Sequence, residues 1–153
     1  MKSDKLHKVF TLTFSDLNIE CYISESSNTA DALWLSRETI GKLLGLKNPA
    51  KDVKAIHSLH KPLFDKFSVS QNNTVFYNFR ALTDICYASG SNDKDDVANI
   101  LWGIVDGILA LRNIIDSLDE TEAKEFIASI PDEITFQEFF LLCSKGADYF
   151  DAE

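Results

Sequence analysis

The sequence predicts an α+β fold: an N-terminal β-hairpin, a helix-turn-helix-like pair, a second small hairpin, then a long helix and a C-terminal helical hairpin. Three observations predict it. Apolar and polar residues alternate near the N-terminus, two short helical segments punctuated by glycine and proline follow, and the second half carries an unbroken apolar seam at helical spacing.

Val9, Thr11 and Thr13 interleave with Phe10, Leu12 and Phe14. Ser15-Asp16-Leu17-Asn18 interrupts this run and residues 19–24 resume it, the pattern of a β-hairpin. Residues 25–31, with Ser26-Ser27-Asn28-Thr29, read as a polar loop. At Leu33-Trp34-Leu35 the chain re-enters the core, and Ser36 is placed to cap a first helix over 37–44 that buries Ile40, Leu43 and Leu44. Gly45 stands where a left-handed residue would close that helix. Asn48 is placed to cap a second helix with Pro49 at its first position, and Pro62 limits it to 49–60. Two short helices joined by a tight glycine-containing turn match the helix-turn-helix plan.

The runs 67–71 and 74–77 flank Asn72-Asn73, a second hairpin because asparagine tolerates positive φ. Its tip reads as a surface turn, with a wing against a DNA groove as the alternative. Asn78 is placed to cap a helix over 79–88. The longest helix starts near Asp93, with Asp95 and Asp96 at the positive end of its dipole. Its seam runs through Val97, Leu101, Ile104, Ile108, Leu111, Ile115 and Leu118. We read that seam as buried within the chain, with a contact between two chains as the alternative. Gly103, Gly107 and Ala110 form a second face that admits close approach of another backbone, so a homodimer is an expectation of the pattern. Asp119-x-x-Glu122 and Thr135-x-x-Glu138 are capping boxes for two closing helices, separated by Pro131 and sharing an apolar interior that includes Phe126, Ile130, Phe136 and Phe139.

Composition narrows the function. At 153 residues and 45% hydrophobic content the chain can bury a core of its own, which excludes a disordered tail. The apolar run 97–111 is shorter than the ~20 residues of a membrane span and contains Asp106, so it reads as a buried helix. The polar N-terminus lacks the apolar stretch of a signal peptide, and the expected location is cytoplasmic. Cys21, Cys86 and Cys143 are too far apart for a zinc ribbon and read as small buried hydrophobes.

Charge is uneven. Residues 1–90 hold eleven Lys/Arg against nine Asp/Glu, net +2, whereas residues 91–153 hold four against fifteen, net −11. A total of −9 argues against general polyanion binding, because phosphate affinity needs local positive charge. The segment 37–66 alone supplies it, with seven Lys/Arg against three Asp/Glu.

Within that segment Lys51, Lys54 and Ser58 fall within roughly 40° of the line through Lys47 along the second helix, while Val53, Ile56 and His60 lie opposite. One side is cationic and the other packs, as a recognition helix requires. Asn48, Lys51 and Lys54 would read base edges near the helix start. Arg37 and Lys42 on the first helix would contact phosphates, with Lys47, Ser58 and Lys61 completing the surface.

His57 and His60 have an acceptable spacing for zinc, but no third ligand is near, and they read as a surface and a partly buried histidine. Asp93, Asp95 and Asp96 lack the glycine and terminal glutamate of a calcium loop. With no phosphate-cradling glycine loop and no nucleophile elbow, the sequence predicts no enzyme, cofactor or metal.

The residues Leu33-Trp34-Leu35-Ser36, Ile40-x-x-Leu43-Leu44-Gly45-Leu46-x-Asn48-Pro49-Ala50-Lys51-x-Val53, Asp65-Lys66-Phe67, Val75 to Leu82 and Ala98-x-x-x-Trp102-x-x-Val105 together resemble the N-terminal domain of Bro proteins and phage antirepressors, Bro-N. The resemblance covers about two-thirds of the chain. It implies a small α+β DNA-binding module over 1–118, in a phage or prophage regulator of transcription, with 119–153 an acidic helical hairpin packed on it. Some members of that family engage a repressor protein, so the alternative is an acidic antirepressor or inhibitor whose C-terminal half covers the basic face of a repressor or host protein. The sequence departs from the family in its Asp95-Asp96 pair and in lacking a proline soon after the Trp-x-x-Val piece.

Overall fold

A computed structural model of the chain describes residues 6–14, 16–24 and 33–151. The polar loop expected at 25–31 lies outside the described residues. The architecture is mixed α+β. Among the described residues, one sheet has strand order β4-β5-β3-β2-β1-β6, built from β1 (Leu6–Phe14), β2 (Leu17–Ser24), β3 (Trp34–Ser36), β4 (Ser68–Gln71), β5 (Thr74–Asn78) and β6 (Glu133–Thr135). The helices are α1 (Arg37–Leu43), α2 (Pro49–Leu59), α3 (Lys61–Lys66), α4 (Phe79–Ala88), α5 (Lys94–Ser117), α6 (Glu120–Ser129) and α7 (Phe136–Asp151).

The opening hairpin is longer and tighter than the alternation suggested: β1 begins at Leu6 and β2 already at Leu17. Its register shifts between Lys8 and Phe10, leaving Val9 as an extra residue. A side chain's face alternates with every residue, so one inserted residue reverses the sides beyond it. Phe10 and Leu12 therefore enter the main core with Ile19 and Cys21, while Leu6 turns to the other face and joins Trp34 and Phe76 in a small second cluster. The sheet curls enough for the Gln71 side chain to accept from Leu6 N at 2.9 Å and donate to Leu6 O at 3.1 Å. Trp34 Nε1 is buried in this second cluster with no hydrogen-bond partner among the described residues.

Local chemistry sets most boundaries. Ser36 Oγ accepts from Thr39 N and starts α1. The helix ends in a Schellman pattern, Leu46 N to Gly41 O and Gly45 N to Lys42 O, both 3.0 Å, with Gly45 at φ +68°. Asn72 and Asn73 have φ +52° and +62°, the two left-handed positions of a type I′ turn, so the tip joining β4 to β5 is an exposed tight turn. Asn78 Oδ1 caps α4 from Ala81 N at 3.1 Å.

Helix α5 is the axis of the core. Val97, Leu101, Ile104, Ile108 and Leu111 of its seam are buried, with Ile115 and Leu118 half-buried. At 24 residues the helix is long and apolar enough by length and composition to cross a bilayer, longer than the apolar run alone suggested; here it packs on α4 and α7. The small-residue face expected to meet a second chain is occupied by α7. A Cβ on Gly107 would collide with the Phe139 ring, and one on Gly103 would lie 3.3 Å from Phe140 Cζ.

The C-terminal segment is more than a helical hairpin. Both capping boxes form: Asp119 Oδ1 accepts from Glu122 N at 2.8 Å, and Thr135 and Glu138 exchange hydrogen bonds at 3.0 and 3.1 Å. Between them β6 pairs in parallel with β1, Thr11 to Thr13 opposite Glu133 to Thr135, and buries Ile134. Residues past 118 thus complete both the sheet and the core. Cys21 and Cys86 are buried and Cys143 half-buried; burial pushes the Cys86 thiol up to about 12 and Cys143 up to about 11, so both stay protonated.

Candidate nucleic-acid interface

Helices α1 and α2 meet at unusually short range. A Cβ on Gly41 would lie 2.5 Å from the Pro49 carbonyl oxygen, so only glycine lets the start of α2 press against α1. Val53 is fully buried beneath α2 and Ile56 half-buried, which holds the helix by one side. The outer side is open: Lys51, Lys54, Ala55 and Ser58 are all exposed, as are Lys47 and Asn48 before the helix.

The eight residues expected at the interface divide by what else they do. Lys47, Lys51 and Lys54 form no ion pair among the described residues. Asn48 does not cap α2 with its side chain, contrary to expectation; its backbone N–H instead donates to Asp52 Oδ2 at 3.1 Å, leaving the amide exposed. Ser58 Oγ donates to the Lys54 carbonyl of its own helix at 3.0 Å. Lys42 pairs with Glu38 at 3.2 Å and Lys61 with Asp65 at 2.6 Å, which reduces the charge they offer outward.

Arg37 is turned inward. Its Nε donates to Tyr77 Oη at 2.9 Å, and its guanidinium carbon stands 5.7 Å from the centre of the Tyr77 ring. The half-buried Arg37 thus has an internal role, with a hydroxyl and a ring face within reach of its guanidinium, beside the phosphate contact expected of it.

Tyr77 belongs to a clasp that the sequence reading missed. His57 Nδ1 lies 2.8 Å from Tyr77 Oη and 3.3 Å from Arg37 Nη2, and His57 Nε2 lies 2.7 Å from Asp65 Oδ1. One assignment of protons satisfies every contact. Arg37 donates to Tyr77, the tyrosine hydroxyl donates to Nδ1, Nε2–H donates to Asp65, and Lys61 donates to the other carboxylate oxygen. Four elements, α1, α2, α3 and β5, are joined by this chain. Burial pushes the Tyr77 hydroxyl above its ordinary range and so keeps its proton in place. Hydrogen bonds from Lys61 and His57 hold Asp65 below the usual carboxylate range. A carboxyl lowered on folding stabilises the clasp at neutral pH, and that contribution is lost as pH falls through its folded value.

The clasp reverses the expected places of the two histidines. The His57 side chain is only 12% exposed, whereas His60 is exposed. The helical wheel fails at His60 because α2 ends at Leu59, and His60 has φ −129° and ψ +43°, outside the helix. Pro62, expected only to stop α2, sits in the first turn of α3, where its missing N–H costs nothing. Replacing Tyr77 with phenylalanine removes the hydroxyl from two partners at once and is expected to cost roughly 1.5–3 kcal/mol. Urea unfolding with an unchanged midpoint would show that the hydroxyl is idle.

The arrangement presents exposed, uncompensated ammonium groups on a short helix seated on a fixed base, which is what contact with a phosphate backbone needs. Comparison with family models, with curated proteins and with solved structures found no match.

Proposed function

We propose that this is a cytoplasmic DNA-binding regulator of transcription, of the kind that the resemblance to phage antirepressors implies, with α2 entering the major groove. The observation that carries the reading is the open cationic side of α2: Lys51 and Lys54 exposed without acidic partners among the described residues, opposite a fully buried Val53. In this reading Lys47, Lys51 and Lys54 neutralise phosphates or reach guanine, and Asn48, released from capping, is available to adenine. Arg37 acts through Tyr77 and His57 as a positioning residue.

Double charge reversal, Lys51→Glu with Lys54→Glu, is expected to weaken retardation of duplex fragments flanking the protein's own gene by roughly 10- to 100-fold and to flatten the salt dependence, with circular dichroism unchanged. Retardation equal to the unaltered protein's would sink the proposal.

A second reading, engagement of a cationic protein by the acidic half, is favoured by one feature. Ile127, Phe140 and Leu141 are exposed on α6 and α7, in the half of the chain whose formal charge is −11.

A further inference from the structure

Two exposed apolar spots on this chain have opposite electrostatic surroundings. The first is at the junction of α2 and α3. Leu59, the last residue of α2, is 79% exposed, more than any other large hydrophobic side chain among the described residues, and Leu63 on α3 is also exposed. Around them in the chain are the exposed Lys54 and Lys66, with Lys61 paired to the exposed Asp65, which leaves the junction net positive. Among the described residues no core cluster includes Leu59: it projects into water from the end of a helix whose buried anchor, Val53, is on another side.

The second is a depression. Leu141, 59% exposed, lines a hollow of about 220 Å³ with Pro131, Ile134, Leu142 and Glu138. Glu138 is the acidic residue of its lining, and the exposed Asp132 and Glu133 stand in sequence between its lining residues Pro131 and Ile134. One spot is an apolar projection in a cationic setting. The other is an apolar recess in an anionic setting, on the half of the chain whose formal charge is −11.

We propose that the hollow at Leu141 receives Leu59 from a second copy of this chain, in a head-to-tail contact. Charge complementarity selects this occupant. The anionic rim repels a second acidic face, which disfavours a symmetric pairing through the hollow, and it attracts the 37–66 segment, which carries net +4. Such a contact is heterologous: each chain that uses its hollow still has a free Leu59, and each that uses its Leu59 still has a free hollow. Assembly therefore continues past the dimer unless a ring closes. The contact needs no DNA and is tested without it, so its fate is separate from that of the DNA-binding proposal.

Sedimentation velocity of the full chain across micromolar to sub-millimolar concentration at low salt is the test. The weight-average mass is expected to at least double over that range and to fall back as salt is raised. Leu59→Asp and Leu141→Lys are both exposed substitutions that leave the melting temperature in place; each alone is expected to be monomeric. Mixed together they restore one compatible pair, the hollow of L59D with the projection of L141K, and give a 1:1 dimer that grows no further. A wild-type chain that stays monomeric throughout, association that survives either substitution, or a mixture that stays monomeric would each overturn the proposal.

Discussion

Gly41→Ala is expected to destabilise the protein by about 2 kcal/mol, against the direction that helix propensity gives. Alanine in a helix interior is favoured over glycine by roughly 1 kcal/mol, so a residue of α1 viewed in isolation should gain from the change. The geometry opposes it. The added methyl would meet the Pro49 carbonyl oxygen at 2.5 Å, its carbonyl carbon at 2.6 Å and its Cα at 2.7 Å, and all three are backbone atoms that cannot swing aside. Overpacking of this kind costs roughly 1–3 kcal/mol and occasionally more, which outweighs the propensity gain. Relief requires α2 to move away from α1, and with it Lys51 and Lys54. The variant should therefore lose urea stability and DNA retardation together. A higher unfolding midpoint would show that the approach of the two helices is looser than described.

Phe139→Ala is expected to cost about 3–5 kcal/mol, the range for emptying a fully buried aromatic site. Its ring is buried, lies 5.2 Å from the Phe10 ring centre, and fills the space that Gly107 leaves open on α5. The neighbouring Phe140 is 45% exposed, and its loss should cost much less. The pair of variants asks whether α7 is an accessory or part of the core. If α7 were accessory, Phe139→Ala would fray only the C-terminal helix and leave the main unfolding transition in place. If it is part of the core, the whole transition shifts to lower urea without a second phase.

Elements with a strong local signal were legible in the sequence. Ser36, Gly45, Asn78 and the two capping boxes act through groups only a few residues away, so their effect is written in short stretches of chain. The cationic side of α2 was legible for a similar reason: regular helical spacing converts residue order into faces. What was hidden depends on partners far along the chain. Strand β6 is three residues with one buried side chain, too short to show a period, and it exists because β1 offers an edge. The clasp joins Arg37 to Tyr77 and His57 to Asp65 across four elements, and no spacing in the sequence encodes it. Gly41 gave a faint sign, a glycine one turn before the glycine that ends its helix. Its meaning became visible only with Pro49 beside it.

The parallel pairing of β6 with β1 also bears on the order of events during translation. Thr11 leaves the ribosome long before Glu133, its neighbour in the finished sheet. Through that interval the nascent hairpin carries a bare row of amide and carbonyl groups, a template for wrong partners. Chaperone capture, slow elongation or a crowded polysome would therefore act on this protein at β1, because the residues that end its exposure follow more than a hundred positions later.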